Sequence, residues 1–180
     1  MGQTNTQETP LFEVRADIRL SATPREAYAV VSDMPRSAEW SPECTGGTWV
    51  SGEPATVGAV FRGENLRPRN VVEWAPVVRG VWSTESEVIA AEPGRAFRWA
   101  MRDSAGRAQQ SVWSYEIEPA DGGCVLVHHF RMDAPTEGIK GITAEMDEAE
   151  KRKFFVDWSA KLAKDLQVTL QRIKAVIEQK

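Results

Sequence analysis

The sequence predicts an α+β fold. A curved antiparallel sheet of seven strands wraps a long C-terminal helix, with two short helices between strands one and two. Two observations carry this. The last quarter of the chain, Ala144 to Ile177, is one amphipathic stretch. Phe155, Trp158, Leu162, Leu166, Leu170, Ile173 and Ile177 recur there at steps of three and four, which lines them on one helical face. Nearly all of the preceding chain reads as strands joined by short turns, the pattern of antiparallel hairpins. A sheet of this size with one long helix buries both apolar surfaces only by curling around the helix. The expected object is a half-barrel gripping a rod, with space left between them.

The rod would run roughly 48 Å from Asp147 to Glu178, at about 1.5 Å per residue. It contains no Pro or Gly. Glu145, Asp147, Glu148 and Glu150 crowd its start and Lys174 and Lys180 its end, as the helix dipole prefers. The first strand is Leu11 to Leu20, where Phe12, Val14, Ala16, Ile18 and Leu20 alternate with charged residues. Thr23, Pro24 and Glu26 then form a helix start, with a capping hydroxyl, a proline at the first position and a carboxylate three residues on. This predicts a helix over Pro24 to Ser32, and a second short one follows over Pro35 to Trp40. Strands are expected at Thr45–Ser51, with a bulge at Gly46-Gly47, and at Gly58–Asn65, Gly80–Ala90, Arg95–Met101, Gln109–Glu118 and Cys124–Met132. Pro68 and Pro76 break Leu66 to Val78, which is either a long loop or a broken strand end.

Composition bounds the function. The chain has 180 residues, enough for one domain over 11–180 behind a flexible tail at 1–10. The net charge of −4 argues against a nucleic-acid partner. The absence of a long apolar run argues against membrane insertion, and the polar N-terminus against a signal peptide, so a cytoplasmic location is expected. Cys44 and Cys124 lack metal-ligand spacing and read as buried, reduced thiols. No metal and no cofactor is expected. The chain is compatible with a monomer or a homodimer.

Seven Trp residues point to an aromatic-walled interior. Strand alternation allows two registers, and the aromatic positions choose between them. That choice turns Phe61, Gly63 and Asn65 inward, then Trp82, Thr84, Ser86 and Val88, then Phe97, Trp99 and Met101. On the sixth strand it selects Trp113, Tyr115 and Ile117, and on the seventh Leu126, His128, Phe130 and Met132, although Val125 and Val127 would suit the opposite register there. Phe155, Trp158 and Leu162 would close the space from the helix side. The candidate ligand-binding set is therefore Phe61, Trp82, Trp99, Met101, Trp113, Tyr115, His128, Phe130, Phe155, Trp158 and Leu162. The same side chains could instead fill a solid core. His128 and His129 point to opposite faces of a strand and cannot share a metal. An inward His128 could act as a general base or orient a ligand, or be a core histidine with its hydrogen bond satisfied. Tyr115 and Glu85 are the partners considered for it. His128, Tyr115 and Ser86 are the candidate catalytic groups. Asp33 and Glu39 suit solvated or capping roles.

Several segments resemble a known family: Thr23-Pro24-Arg25-Glu26, Asp33 with Trp40-Ser41-Pro42-Glu43, Gly58-Ala59-Val60-Phe61-Arg62-Gly63, Ala91-Glu92-Pro93-Gly94-Arg95-Ala96-Phe97, and Trp113-Ser114-Tyr115-Glu116-Ile117-Glu118-Pro119 before Gly122-Gly123. They resemble the polyketide cyclase/dehydrase and lipid-transport branch of the START-like (SRPBCC) superfamily, from about Phe12 to Ile177. The resemblance implies a helix-grip fold whose members mostly enclose lipids, sterols or polyketides and share a cavity rather than a catalytic motif. It implies binding, with or without transport, of a hydrophobic small molecule between sheet and helix. The alternatives are a polyketide cyclase or dehydratase using the same cavity, and a structural or partner-binding protein with a filled core.

Overall fold

The structure is a computed structural model and describes residues 9–179. The expected tail thus falls largely outside the described residues, as does Lys180. Seven strands form one antiparallel sheet: β1 (Phe12–Leu20), β2 (Cys44–Ser51), β3 (Val60–Arg67), β4 (Gly80–Glu92), β5 (Ala96–Arg102), β6 (Ala108–Ala120) and β7 (Gly123–Met132). Their spatial order is β1-β7-β6-β5-β4-β3-β2. Helix α1 (Pro24–Val31) and a 3-10 helix (Met34–Glu39) lie between β1 and β2. The fold is the helix-grip arrangement read from the sequence.

Local chemistry explains the elements. Thr23 accepts the Glu26 backbone N–H at 3.2 Å while the Glu26 carboxylate accepts the Thr23 N–H at 2.8 Å, so two helix-start donors are satisfied at once. Asp147 and Glu150 repeat this box at the start of the long helix, α3 (Glu148–Glu178). The helix therefore begins at Glu148 and not at Ala144. The preceding residues form a separate helix, α2 (Glu137–Thr143), capped by Thr136. The sequence reading has no helix there, because Gly138 and Gly141 lower its intrinsic propensity. At the expected bulge the register of β2 against β3 shifts between Cys44 and Gly46. A Cβ on Gly47 would sit 2.2 Å from the Arg62 carbonyl oxygen and 2.5 Å from the Phe61 ring, which requires glycine there.

The helix face also needs a correction. Its buried side chains are Phe154, Trp158, Leu162, Leu166, Thr169, Leu170 and Ile173. Phe154 is fully buried, while Phe155 lies on the flank against Phe12, with ring centroids 6.0 Å apart. A straight run of four-residue steps from Phe154 drifts slowly around the helix and follows the trough of the curved sheet. Two apolar clusters result. Leu170 and Ile173 pack with Leu20, Val31, Trp40 and Leu126. Phe154, Trp158, Leu162 and Leu166 pack with Val14, Phe130, Met132 and Ile139. Each large side chain so buried contributes about 1.5–3 kcal/mol before ordering costs.

Residues 68–79 form an irregular strap rather than a strand. The Arg79 guanidinium donates to the carbonyls of Arg69, Val71, Val72, Ala75 and Val77. One cation thereby satisfies a loop that has no ladder of its own. Ala75 and Val77 are buried against the Phe154 end of the second cluster, and the Trp74 indole N–H donates to Asp157 at 2.8 Å.

Candidate functional site

Curvature of the sheet around α3 leaves a cavity of about 420 Å³. Strand register sets its wall. Trp99 pairs with Trp113 and Trp113 with Phe130, and in the next row Phe97 pairs with Tyr115 and Tyr115 with His128. Residues in one row point to the same face, so aromatic rings gather along the interior. Trp99 and Trp113 are nearly parallel at 6.5 Å between centroids, Trp113 meets Phe130 at 4.4 Å, and Tyr115 stacks on His128 at 4.2 Å.

Phe61, Trp82, Trp99, Met101, Trp113, Tyr115, His128, Phe130, Trp158 and Leu162 all line the cavity, as does Ser86. Phe155 does not. Its neighbour Phe154 takes the inward position on α3, and Phe155 packs between Phe12 and Phe154. The cavity is therefore bounded on the helix side by Trp158, Lys161, Leu162, Asp165, Leu166 and Thr169.

Each candidate catalytic group already has a partner within the protein. His128 Nδ1 lies 3.0 Å from the Ser114 carbonyl oxygen; a carbonyl only accepts, so Nδ1 carries the proton. Burial pushes the imidazole down to about 4, against the opposing pull of that hydrogen bond. Burial pushes the Tyr115 phenol up, although the Trp40 side chain hydrogen-bonds to its hydroxyl. Among the described residues, the hydrogen-bond partner of the Ser86 hydroxyl is the Met101 sulfur, at 3.7 Å. Tyr115 thus meets His128 face to face rather than through its hydroxyl. Glu85 pairs with Arg62 and Arg102 and reaches neither. His129 points away and meets Glu13 at 3.0 Å. Glu39 pairs with Arg36, and Asp33 stands at the start of the 3-10 helix without a side-chain cap. Cys44 is half-buried at the cavity wall rather than fully buried, and burial raises its thiol pKa.

Sequence reasoning missed the charged end of the cavity. Glu43 accepts two hydrogen bonds from Arg67, at 2.9 and 3.1 Å, and one from Lys161 at 2.8 Å. Lys161 also pairs with Asp165 at 2.6 Å. Burial pushes the Glu43 carboxyl up, but the hydrogen bonds and charges of Arg67 and Lys161 outweigh it and hold it below the usual range. The Arg67 guanidinium lies 4.3 Å over the Trp82 ring and 5.1 Å from Trp158, a favourable place for a cation. Arg67 was within reach of the alternation Phe61, Gly63, Asn65, had the strand been extended by two residues. Nothing in the sequence couples Glu43 to Lys161. Among the described residues, no helix is long and apolar enough to cross a membrane.

A family model described as polyketide cyclase / dehydrase and lipid transport matches residues 12–178. Among solved structures, the Polyketide_cyc-like protein Cgl2372 from Corynebacterium glutamicum is 28% identical, with a TM-score of 0.57 over 92% of this chain and 93% of that one. The di-domain ARO/CYC protein BexL from the BE-7585A biosynthetic pathway is 15% identical, with a TM-score of 0.66 over 94% of this chain and 50% of that one. The di-domain ARO/CYC protein StfQ from the steffimycin pathway is 13% identical, with a TM-score of 0.64 over 92% of this chain and 50% of that one. The chain thus spans half of each two-domain protein, and at these identities the likeness shows the fold alone. No curated protein matches the chain.

Proposed function

The chain belongs to the polyketide cyclase/dehydrase and lipid transport family, and on that premise we propose that it binds a hydrophobic small molecule, such as a lipid or polyketide, between the sheet and α3. The observation that carries this reading is the cavity of about 420 Å³ walled by Trp99, Trp113, Tyr115, His128 and Phe130. That volume lies within the usual range for small-molecule pockets, roughly 300–1,000 Å³. It also weighs against a filled core. An apolar body would rest on the rings, and a polar end would face Glu43, Arg67 and Lys161.

The environment of the candidate catalytic groups favours binding over proton transfer. His128 is a poor base at neutral pH, Tyr115 a poor acid, and the Ser86 hydroxyl is hydrogen-bonded to the Met101 sulfur rather than, among the described residues, to a base. A native mass spectrum of the purified full chain tests the reading. A co-purified apolar mass, or uptake of an added fatty acid or polycyclic aromatic, is the expected result. A protein that carries nothing and takes up neither probe would refute it.

A further inference from the structure

We infer that the molecule held in this cavity is a flat ring system bearing a neutral hydrogen-bond donor, such as a hydroxyl, and that this donor is received by His128 Nε2. The inference rests on the binding reading above and adds the chemistry of the ligand.

His128 is 4% exposed and lines the cavity. Its Nδ1–H is committed to the Ser114 carbonyl oxygen, so the opposite ring nitrogen carries a lone pair. No donor among the described residues reaches that nitrogen. It is not walled off either: among the described residues, the sealed side-chain atoms without a partner are Trp82 Nε1 and Ser114 Oγ. Nε2 is therefore an acceptor left open toward the cavity. Burial holds the imidazole neutral well below pH 7, so the lone pair persists under ordinary conditions.

The surroundings specify the rest. His128 lies against Tyr115 at 4.2 Å, Trp113 at 5.7 Å and Trp99 at 6.4 Å between centroids. These rings stand side by side on β5, β6 and β7 and form one aromatic wall of the cavity, which favours a planar guest stacked offset or edge-on against it. An acceptor desolvated by that guest is costly unless the guest supplies a donor. A guest presenting only carbonyl oxygens would set acceptor against acceptor at this point.

The test compares 2-naphthol with 2-methylnaphthalene, which replaces the hydroxyl by a methyl of similar size. Affinities of both for the full chain are measured by quenching of tryptophan fluorescence, in the wild type and in His128→Phe. The preference for naphthol over its methyl counterpart should fall about tenfold in the variant, as loss of one hydrogen bond to a buried acceptor predicts. An unchanged preference would overturn the inference while leaving the cavity reading intact. Failure of both probes to bind the wild type would overturn both. Should His128→Phe not fold, the ¹⁵N resonance of Nε2 in wild-type protein decides the matter. It should move upfield on adding 2-naphthol and stay in place on adding 2-methylnaphthalene; equal responses would count against the proposal.

Discussion

Acidification should destabilise this protein through His128, and the size of the effect follows from its burial. In the folded chain the imidazole titrates at about 4, against 6.5 for the free side chain. Between those values the unfolded chain binds a proton that the folded chain refuses, so stability falls as pH drops. Above pH 6.5 the contribution is constant, and below about 4 the penalty is complete. A shift of this size amounts to roughly 3 kcal/mol in all, of which about 2 kcal/mol is lost by pH 5. Carboxylates whose pKa is lowered in the fold, such as Glu43 and Glu178, also lose stability in acid. The comparison must therefore be made against His128→Phe, which keeps them. Urea unfolding of both proteins at pH 7.5 and pH 5 should show the wild type losing about 2 kcal/mol more than the variant. Parallel losses would refute the reasoning. So would an NMR titration in which the His128 ring ionises near 6.5.

Three further outcomes test the packing. Glu43→Ala leaves the buried Arg67 without its carboxylate, while the part-buried Lys161 keeps Asp165, and should cost about 3 kcal/mol; a thermal melt within a degree or two of wild type would show the cluster to be dispensable. Phe154→Ala should cost about 3–5 kcal/mol, and Phe155→Ala distinctly less, because only Phe154 is fully buried; denaturant midpoints in the reverse order would restore the helix face first read from the sequence. Gly123→Ala puts a Cβ 1.9 Å from the Leu20 carbonyl oxygen, where the β6–β7 turn meets the end of β1. It should cost about 3 kcal/mol, and an unchanged melting temperature would mean that this contact is looser than it stands.

Much of the site was legible because strands have a period of two. Once Trp113 chose the inward face of β6, Tyr115 followed by alternation; on β7, where Val125 and Val127 suit the opposite register, it is the pairing with β6 that sets His128 and Phe130 beside Tyr115 and Trp113. The helix was harder. Phe154 and Phe155 are adjacent and equally apolar, and a period of 3.6 does not distinguish them until the helix is laid on a surface. Helix α2 stayed hidden behind two glycines, since its packing through Ile139 outweighs its propensity.

The sequence by itself determined the seven strands in order, the two short helices after β1, the long C-terminal helix, the capping box at Thr23, the inward faces of Trp82, Trp99, Trp113 and Tyr115, and hence an aromatic interior. These are local properties, set by propensity, periodicity and hydrogen bonds a few residues long. Only the tertiary structure decided that Glu43, Arg67 and Lys161 would share a charge cluster, that Arg79 would hold the strap, and that one nitrogen of His128 would be spent on Ser114 and the other left open. Those depend on distances between residues far apart in the chain, which curvature and register set and which no pattern along a single strand or helix encodes.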